Sequence, residues 1–163
     1  MTYEEELLSE LKEFISSGKI IVEDDSDKYF WELGQSYPTF GSKIDWGKIE
    51  NSVVKDETEE GCDEQFVSFF KIVSLENQFK GECIVIGDSA VNKALRMDIN
   101  TLESVLLSIV KIPQHHYILA RDFSWCMTYT MEREMTFGYK PVSKNNGDKF
   151  SSPQFDGTKM SYE

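Results

Sequence analysis

The sequence predicts a single α+β domain, an antiparallel β-meander sheet packed against an N-terminal helix and a central helix. Three observations carry that prediction. Apolar residues recur at helical spacing near the N-terminus and again over 100–111, and they switch to strict alternation after residue 114. The chain of 163 residues is long enough for one core and short for two. The domain is placed at 1–140, with an acidic part over 1–64. The segment 141–163, rich in Ser, Lys, Asn, Gly and Asp, is expected to be a loosely ordered tail.

Thr2 to Gly18 reads as one helix. Thr2 and Glu5 fit a capping box, which satisfies free amide donors reciprocally. Tyr3, Leu7, Leu8, Leu11, Phe14 and Ile15 form its apolar stripe, which turns Glu4, Glu6, Glu10 and Glu13 to solvent, and Gly18 suits a left-handed exit. Lys19-Ile20-Ile21-Val22 reads as a short strand or a packed connection. Tyr29-Phe30-Trp31-Glu32-Leu33 reads as a short helix capped by Asp25 or Ser26. Gly34, Pro38, Gly41 and Gly47 then break the chain into turns, with Ile44, Trp46 and Ile49 as anchors, and 55–64 reads as an acidic, exposed loop.

Phe66, Phe69, Phe70 and Val73 fit helical spacing within 65–79. Glu82 to Gly87 is a short apolar run bounded by Gly, the pattern of a buried strand. Leu102, Val105, Leu106, Ile109 and Val110 make the stripe of the central helix, with Asn100 and Glu103 as its capping box and Pro113 beyond its end. His115 to Arg121, Trp125 to Met131 and Met135 to Tyr139 then alternate, and turns at 122–124 and 132–134 join them into a meander with one packed face. The outer strands of that meander leave a homodimer open through edge pairing.

Charge is distributed unevenly. The first 64 residues hold 18 Asp/Glu against 6 Lys/Arg, and the other 99 hold 11 of each sign, so the whole net charge of −12 lies in the first part. An acidic end on a balanced body suits a positively charged partner and repels phosphate, which argues against direct nucleic-acid binding. No apolar run reaches the roughly 18 residues of a membrane helix, and the start Met-Thr-Tyr-Glu-Glu-Glu lacks the features of a signal peptide. Three cysteines, Cys62, Cys83 and Cys126, have no metal or redox spacing, so a cytoplasmic protein with reduced thiols is expected, with no cofactor.

Candidate chemistry is sparse. His115 and His116 are neighbours on a strand and point to opposite faces, so they do not chelate one metal together. Gly87-Asp88-Ser89 follows a strand, as the serine of some esterases does, but no histidine lies beyond His116. The plainer reading is a strand-to-helix turn in which Asp88 or Ser89 is the cap. Asp24, Asp25 and Asp27 do not match an EF-hand loop. There remains a set of carboxylates interleaved with large aromatics. Glu23, Asp24, Asp25 and Asp27 stand beside Trp31 and Tyr37, Asp45 stands beside Trp46, and Asp56, Glu57, Glu59 and Glu60 come after them. In such a surface charge steers the encounter and buried aromatics give affinity.

The order of a helix, an acidic middle, His115-His116-Tyr117-Ile118-Leu119, Trp125-Cys126-Met127 and Phe137-Gly138-Tyr139 resembles small immunity proteins of contact-dependent growth inhibition and of related polymorphic toxins. The likeness covers mainly residues 99–140. It implies a protein that is not an enzyme and that binds and neutralises the basic nuclease domain of a toxin, an RNase and foremost a tRNase, through the acidic residues named above. Such proteins share no single fold. Two alternatives stand beside this expectation: an acidic adaptor for a basic cellular protein, and a small hydrolase using Ser89 or a histidine.

Overall fold

A computed structural model describes residues 1–56 and 62–142. It shows an α+β fold built on one antiparallel sheet of seven strands. In chain order the elements are α1 (Tyr3–Glu10), α2 (Lys12–Ser16), β1 (Ile20–Glu23), α3 (Asp27–Ser36), β2 (Thr39–Phe40), β3 (Lys43–Ile44), a 3-10 turn (Trp46–Lys48), β4 (Val53–Asp56), α4 (Cys62–Asn77), β5 (Glu82–Gly87), β6 (Ala94–Asp98), α5 (Ile99–Val110), β7 (His116–Ala120), β8 (Trp125–Tyr129) and β9 (Glu134–Tyr139). The sheet order is β1-β6-β5-β7-β8-β9-β4, and β2 and β3 form a separate hairpin.

The first expected helix is broken at Leu11, whose backbone (φ −95°, ψ 8°) leaves the helical well and separates α1 from α2. Its capping box is present as read, and Gly18 takes φ +83°. The central helix starts two residues earlier than expected. Asp98, not Asn100, is the cap, and its carboxylate accepts from the Thr101 amide at 2.8 Å. Strand β6 therefore runs straight into α5, because the last strand residue serves as the first helix acceptor. The turn after Gly87 leads to β6 and not to a helix, which corrects the capping role expected of Asp88 and Ser89.

The meander β7-β8-β9 is as expected, with register Ile118↔Met127 and Met127↔Phe137. Two of its expected properties are corrected. Its strands are packed on both faces, so β8 is buried from end to end. Its outer strands are not edges either, because β5 pairs with β7 and β4 pairs with β9. Among the described residues the edges of the sheet are β1 and β4.

Two cores account for this. On one face α1, α4 and α5 cover Cys83, Val85, Met97, Ile118, Met127 and Phe137, using Phe66, Phe70, Leu102 and Leu106 from the helices. Phe79 stacks on Trp125 with ring centroids 3.9 Å apart, closing that face at the end of α4. On the other face the chain from α3 to the 3-10 turn lays Leu33, Tyr37, Ile44 and Ile49 over Ile84, Ile86, Leu119 and Cys126. Trp46 approaches Gly138 so closely that a Cβ there would lie 2.8 Å from its ring. Thr128 and Thr136 satisfy each other's hydroxyls beneath that layer. Residues 29–49 of the acidic N-terminal part thus form a structural lid over the sheet. Cys62, Cys83 and Cys126 are all buried free thiols, and burial pushes Cys83 up to about 12.

Candidate functional site

The expected site residues fall into three groups that do not share one surface. The first lies at the β1 edge. Asp25 Oδ1 accepts from the Asp27 amide at 2.8 Å, which starts α3 without help from the Ser26 hydroxyl. Asp24, Asp25, Asp27 and Glu32 are exposed. The helical phase that sends Phe30, Leu33 and Tyr37 inward turns Trp31 outward, where it is 69 % exposed.

The loop before β6 ties the N-terminal helix to this end. Glu4 Oε1 accepts from the amides of Asn92 at 2.7 Å and Lys93 at 3.3 Å, while the Asn92 carbonyl accepts from the Ser26 amide at 3.0 Å. Glu4 therefore does not simply face solvent, and it is linked through Asn92 and Lys93 to Ser26 and Asp24. Sequence reasoning missed Glu4 and Glu32 as members of this cluster. Glu32 was readable from its place beside Trp31, whereas Glu4 is recruited by a loop 88 residues away.

Glu23 belongs to the interior of this end. Lys28 Nζ lies 2.8 Å from it, Arg96 Nη1 2.6 Å, and the Tyr29 hydroxyl donates to it at 2.7 Å. Arg96 continues to Glu82 at 3.5 Å, and Glu82 pairs with Arg121, so a chain of alternating charge crosses the sheet. The Lys28 and Tyr29 hydrogen bonds, with Arg96 behind them, hold the Glu23 carboxyl down to about 2 from an ordinary 4.5. The folded state thus gains stability from ionised Glu23 that is complete above pH 4.5 and is lost as pH falls from 4.5 to about 2. Glu23→Gln should flatten that limb of a plot of urea midpoint against pH. An unchanged limb would show that the network does not set it.

The second group is Tyr37 alone. It is fully buried, and its hydroxyl donates to the Phe123 carbonyl at 2.8 Å, so it is a core residue and not a surface anchor. The third group lies toward the opposite edge. Asp45 sits 3.9 Å from Lys48 in the 3-10 turn, Trp46 is half-buried over β9, and Asp56 ends the exposed strand β4. Glu57, Glu59 and Glu60 lie outside the described residues, as does the expected tail from residue 143.

Around Ser89 the hydrogen bonds run in an order unlike that of an activated serine. Its hydroxyl donates to Asp88 Oδ1 at 3.2 Å. His115 Nδ1 accepts from the Met131 amide at 2.9 Å, which occupies the imidazole lone pair, and Nε2 faces Asp88 Oδ2 at 4.0 Å. His116 points the other way, is buried, and bonds the Ile112 carbonyl at 2.8 Å. No group of three or more His, Cys, Asp or Glu suited to a metal occurs among the described residues, and no described helix is long and apolar enough to cross a membrane.

No protein-family model matches the chain, and neither does any curated protein.

Proposed function

We propose that this chain is an immunity-type inhibitor that captures the basic, phosphate-binding face of a bacterial toxin nuclease with the β1 end of its sheet. One observation carries the reading. Trp31 is an exposed aromatic in a segment whose Asp24, Asp25, Asp27 and Glu32 are also exposed, and there Lys28 is paired with Glu23 and Lys93 with Asp24. The net field there is negative and the anchor is apolar, the combination that gives fast encounter and slow release. Nuclease active sites concentrate Lys and Arg to hold phosphate, so such a surface competes directly with their substrate. Protection of a cell that makes the toxin calls for nanomolar capture, on the order of −12 kcal/mol.

The test is binding of the purified protein to the product of the adjacent upstream gene at two salt concentrations. Tight binding that weakens with salt and abolishes the partner's nuclease activity supports the reading. Reversing charge at Asp24, Asp25 and Asp27 together should slow association by about tenfold or more and reduce its salt dependence. Association that keeps its rate in that variant overturns this surface as the contact. An adaptor for a basic cellular protein would use the same residues, and the absence of a toxin gene nearby would favour it. Hydrolysis by Ser89 gains no support from the hydrogen bonds around it.

A further inference from the structure

We propose that β4 is a self-association edge, at which a second copy of this chain adds its own β4 antiparallel and joins the two sheets into one. The proposal is independent of the β1 end and of the function assigned to it.

All four residues of β4 are exposed, and among the described residues only β9 pairs with it. The other edge is less open, since β1 begins with buried Ile20 and ends in Glu23, which is committed to Lys28 and Arg96. Apolar surface gathers beside β4. Val53 is 40 % exposed and Val54 is 48 % exposed. Lys55 Nζ lies over the Phe69 ring at 5.8 Å, which places α4 along the same face as Val53 and Lys55. Ile72, about one turn beyond Phe69 on α4, is 54 % exposed. At the far end Tyr139 packs edge-on against Phe137, the register partner of Val53, and its hydroxyl donates to Asn77 of α4 at 2.6 Å. A strand pair alone would bury too little for a stable dimer, but Ile72 from each copy adds a second, helical layer to the contact.

The residue order selects the register. Pairing about Val54 sets Val54 against its own copy, Val53 against Lys55, and Ser52 against Asp56, with no like charges opposite. Pairing about Lys55 would set two lysines face to face, which is unfavourable. Charge also selects the edge. Six strand spacings separate β4 from β1, roughly 29 Å, so joining at β4 holds the two Asp24–Asp27 clusters about 60 Å apart, far beyond a Debye length of about 8 Å. The register sets no like charges opposite each other while both chains carry −12, so salt that screens their mutual repulsion should tighten the contact. Capture of a basic partner responds to salt with the opposite sign.

Sedimentation equilibrium at about 50 mM and about 500 mM NaCl tests this. A dimer that tightens several-fold at the higher salt is expected. Val54→Lys should weaken it by at least tenfold while thermal melting shows an intact fold, and Ile72→Glu serves the same purpose from the helical layer. Val54→Cys should form an intermolecular disulfide under mild oxidation, because directly opposed strand residues stand about 4.5–5.5 Å apart between Cα atoms. Lys55→Cys should not, since 55 and its copy would be diagonal neighbours. Charge reversal at Asp24, Asp25 and Asp27 should leave the dimer in place. A monomer at about 100 μM in high salt overturns the proposal, as does equal cross-linking at 54 and 55 or a dimer indifferent to Val54→Lys and Ile72→Glu.

Discussion

Tyr37→Ala should lower stability by about 3–5 kcal/mol, whereas Trp31→Ala, six residues away in the same acidic segment, should change it by about 0.5 kcal/mol or less. The aromatic ring of Tyr37 is fully buried in the core that the lid over 29–49 forms with Ile84, Ile86, Leu119 and Cys126 of the sheet. Its hydroxyl donates to Phe123, which sits at φ +65° in the turn between β7 and β8. Tyr37→Phe keeps the ring and removes only that bond, so about 1–2 kcal/mol is expected, chiefly from leaving the Phe123 carbonyl without its donor. Urea midpoints of the three variants check the order. Partner binding should show the reverse order, with Trp31→Ala the variant that loses affinity while stability holds. If Tyr37→Ala proved no more costly than Trp31→Ala, the lid would not contribute to the fold, and the division of the acidic segment into a core part and a surface part would fail.

That division was within reach of the sequence. Phe30, Leu33 and Tyr37 stand at i, i+3 and i+7, which fixes one face of a helix inward and leaves Trp31 out. Grouping the aromatics with the carboxylates obscured it, because charge density over 23–60 suggested surface for the whole stretch. The helices and the meander were legible because their periods are long and clean. Strand β6 was not. Leu95-Arg96-Met97-Asp98 alternates only briefly, and its Arg96 reads as a surface residue although it stands on a packed face where Glu23 and Glu82 from other strands neutralise it. Strand β4 was hidden for a related reason. Val-Val-Lys-Asp has no buried side chain, and its strand character comes only from pairing with β9, about 80 residues later. These two strands decide which edges of the sheet are open, so the homodimer left open through the meander rested on strands that the fold covers. The candidate site was legible as composition, through its carboxylates and Trp31. Its convergence with Glu4 depends on the loop at Asn92 and Lys93, which no local pattern marks.

Gln114→Ala should cost about 2–3 kcal/mol, and Gly87→Ala should cost a similar amount for a connected reason. Gln114 is buried, and its Oε1 accepts from three successive amides, Ser89 at 3.4 Å, Ala90 at 2.9 Å and Val91 at 3.1 Å. Together with Glu4 on Asn92 and Lys93, these bonds satisfy every amide from 89 to 93 with a side-chain oxygen and hold the β5–β6 connection in place. Truncating Gln114 strands the donors nearest the core, of which the Val91 amide belongs to a buried residue. Gly87 lies beneath the same side chain. A Cβ there would stand 2.1 Å from Gln114 Nε2 and 2.3 Å from Oε1, so alanine must drive the amide group out of the position that makes the three bonds. The two substitutions therefore damage one feature, and their costs should not add. In the Gln114→Ala background the space above Gly87 is open, and Gly87→Ala should then cost less than about 1 kcal/mol. Urea unfolding of the four proteins in that cycle measures the coupling. Additive costs would mean that Gly87 is constrained by something other than Gln114. A coupling of about 1–2 kcal/mol would establish that one glutamine oxygen organises the turn that brings α1 to the acidic end of the sheet.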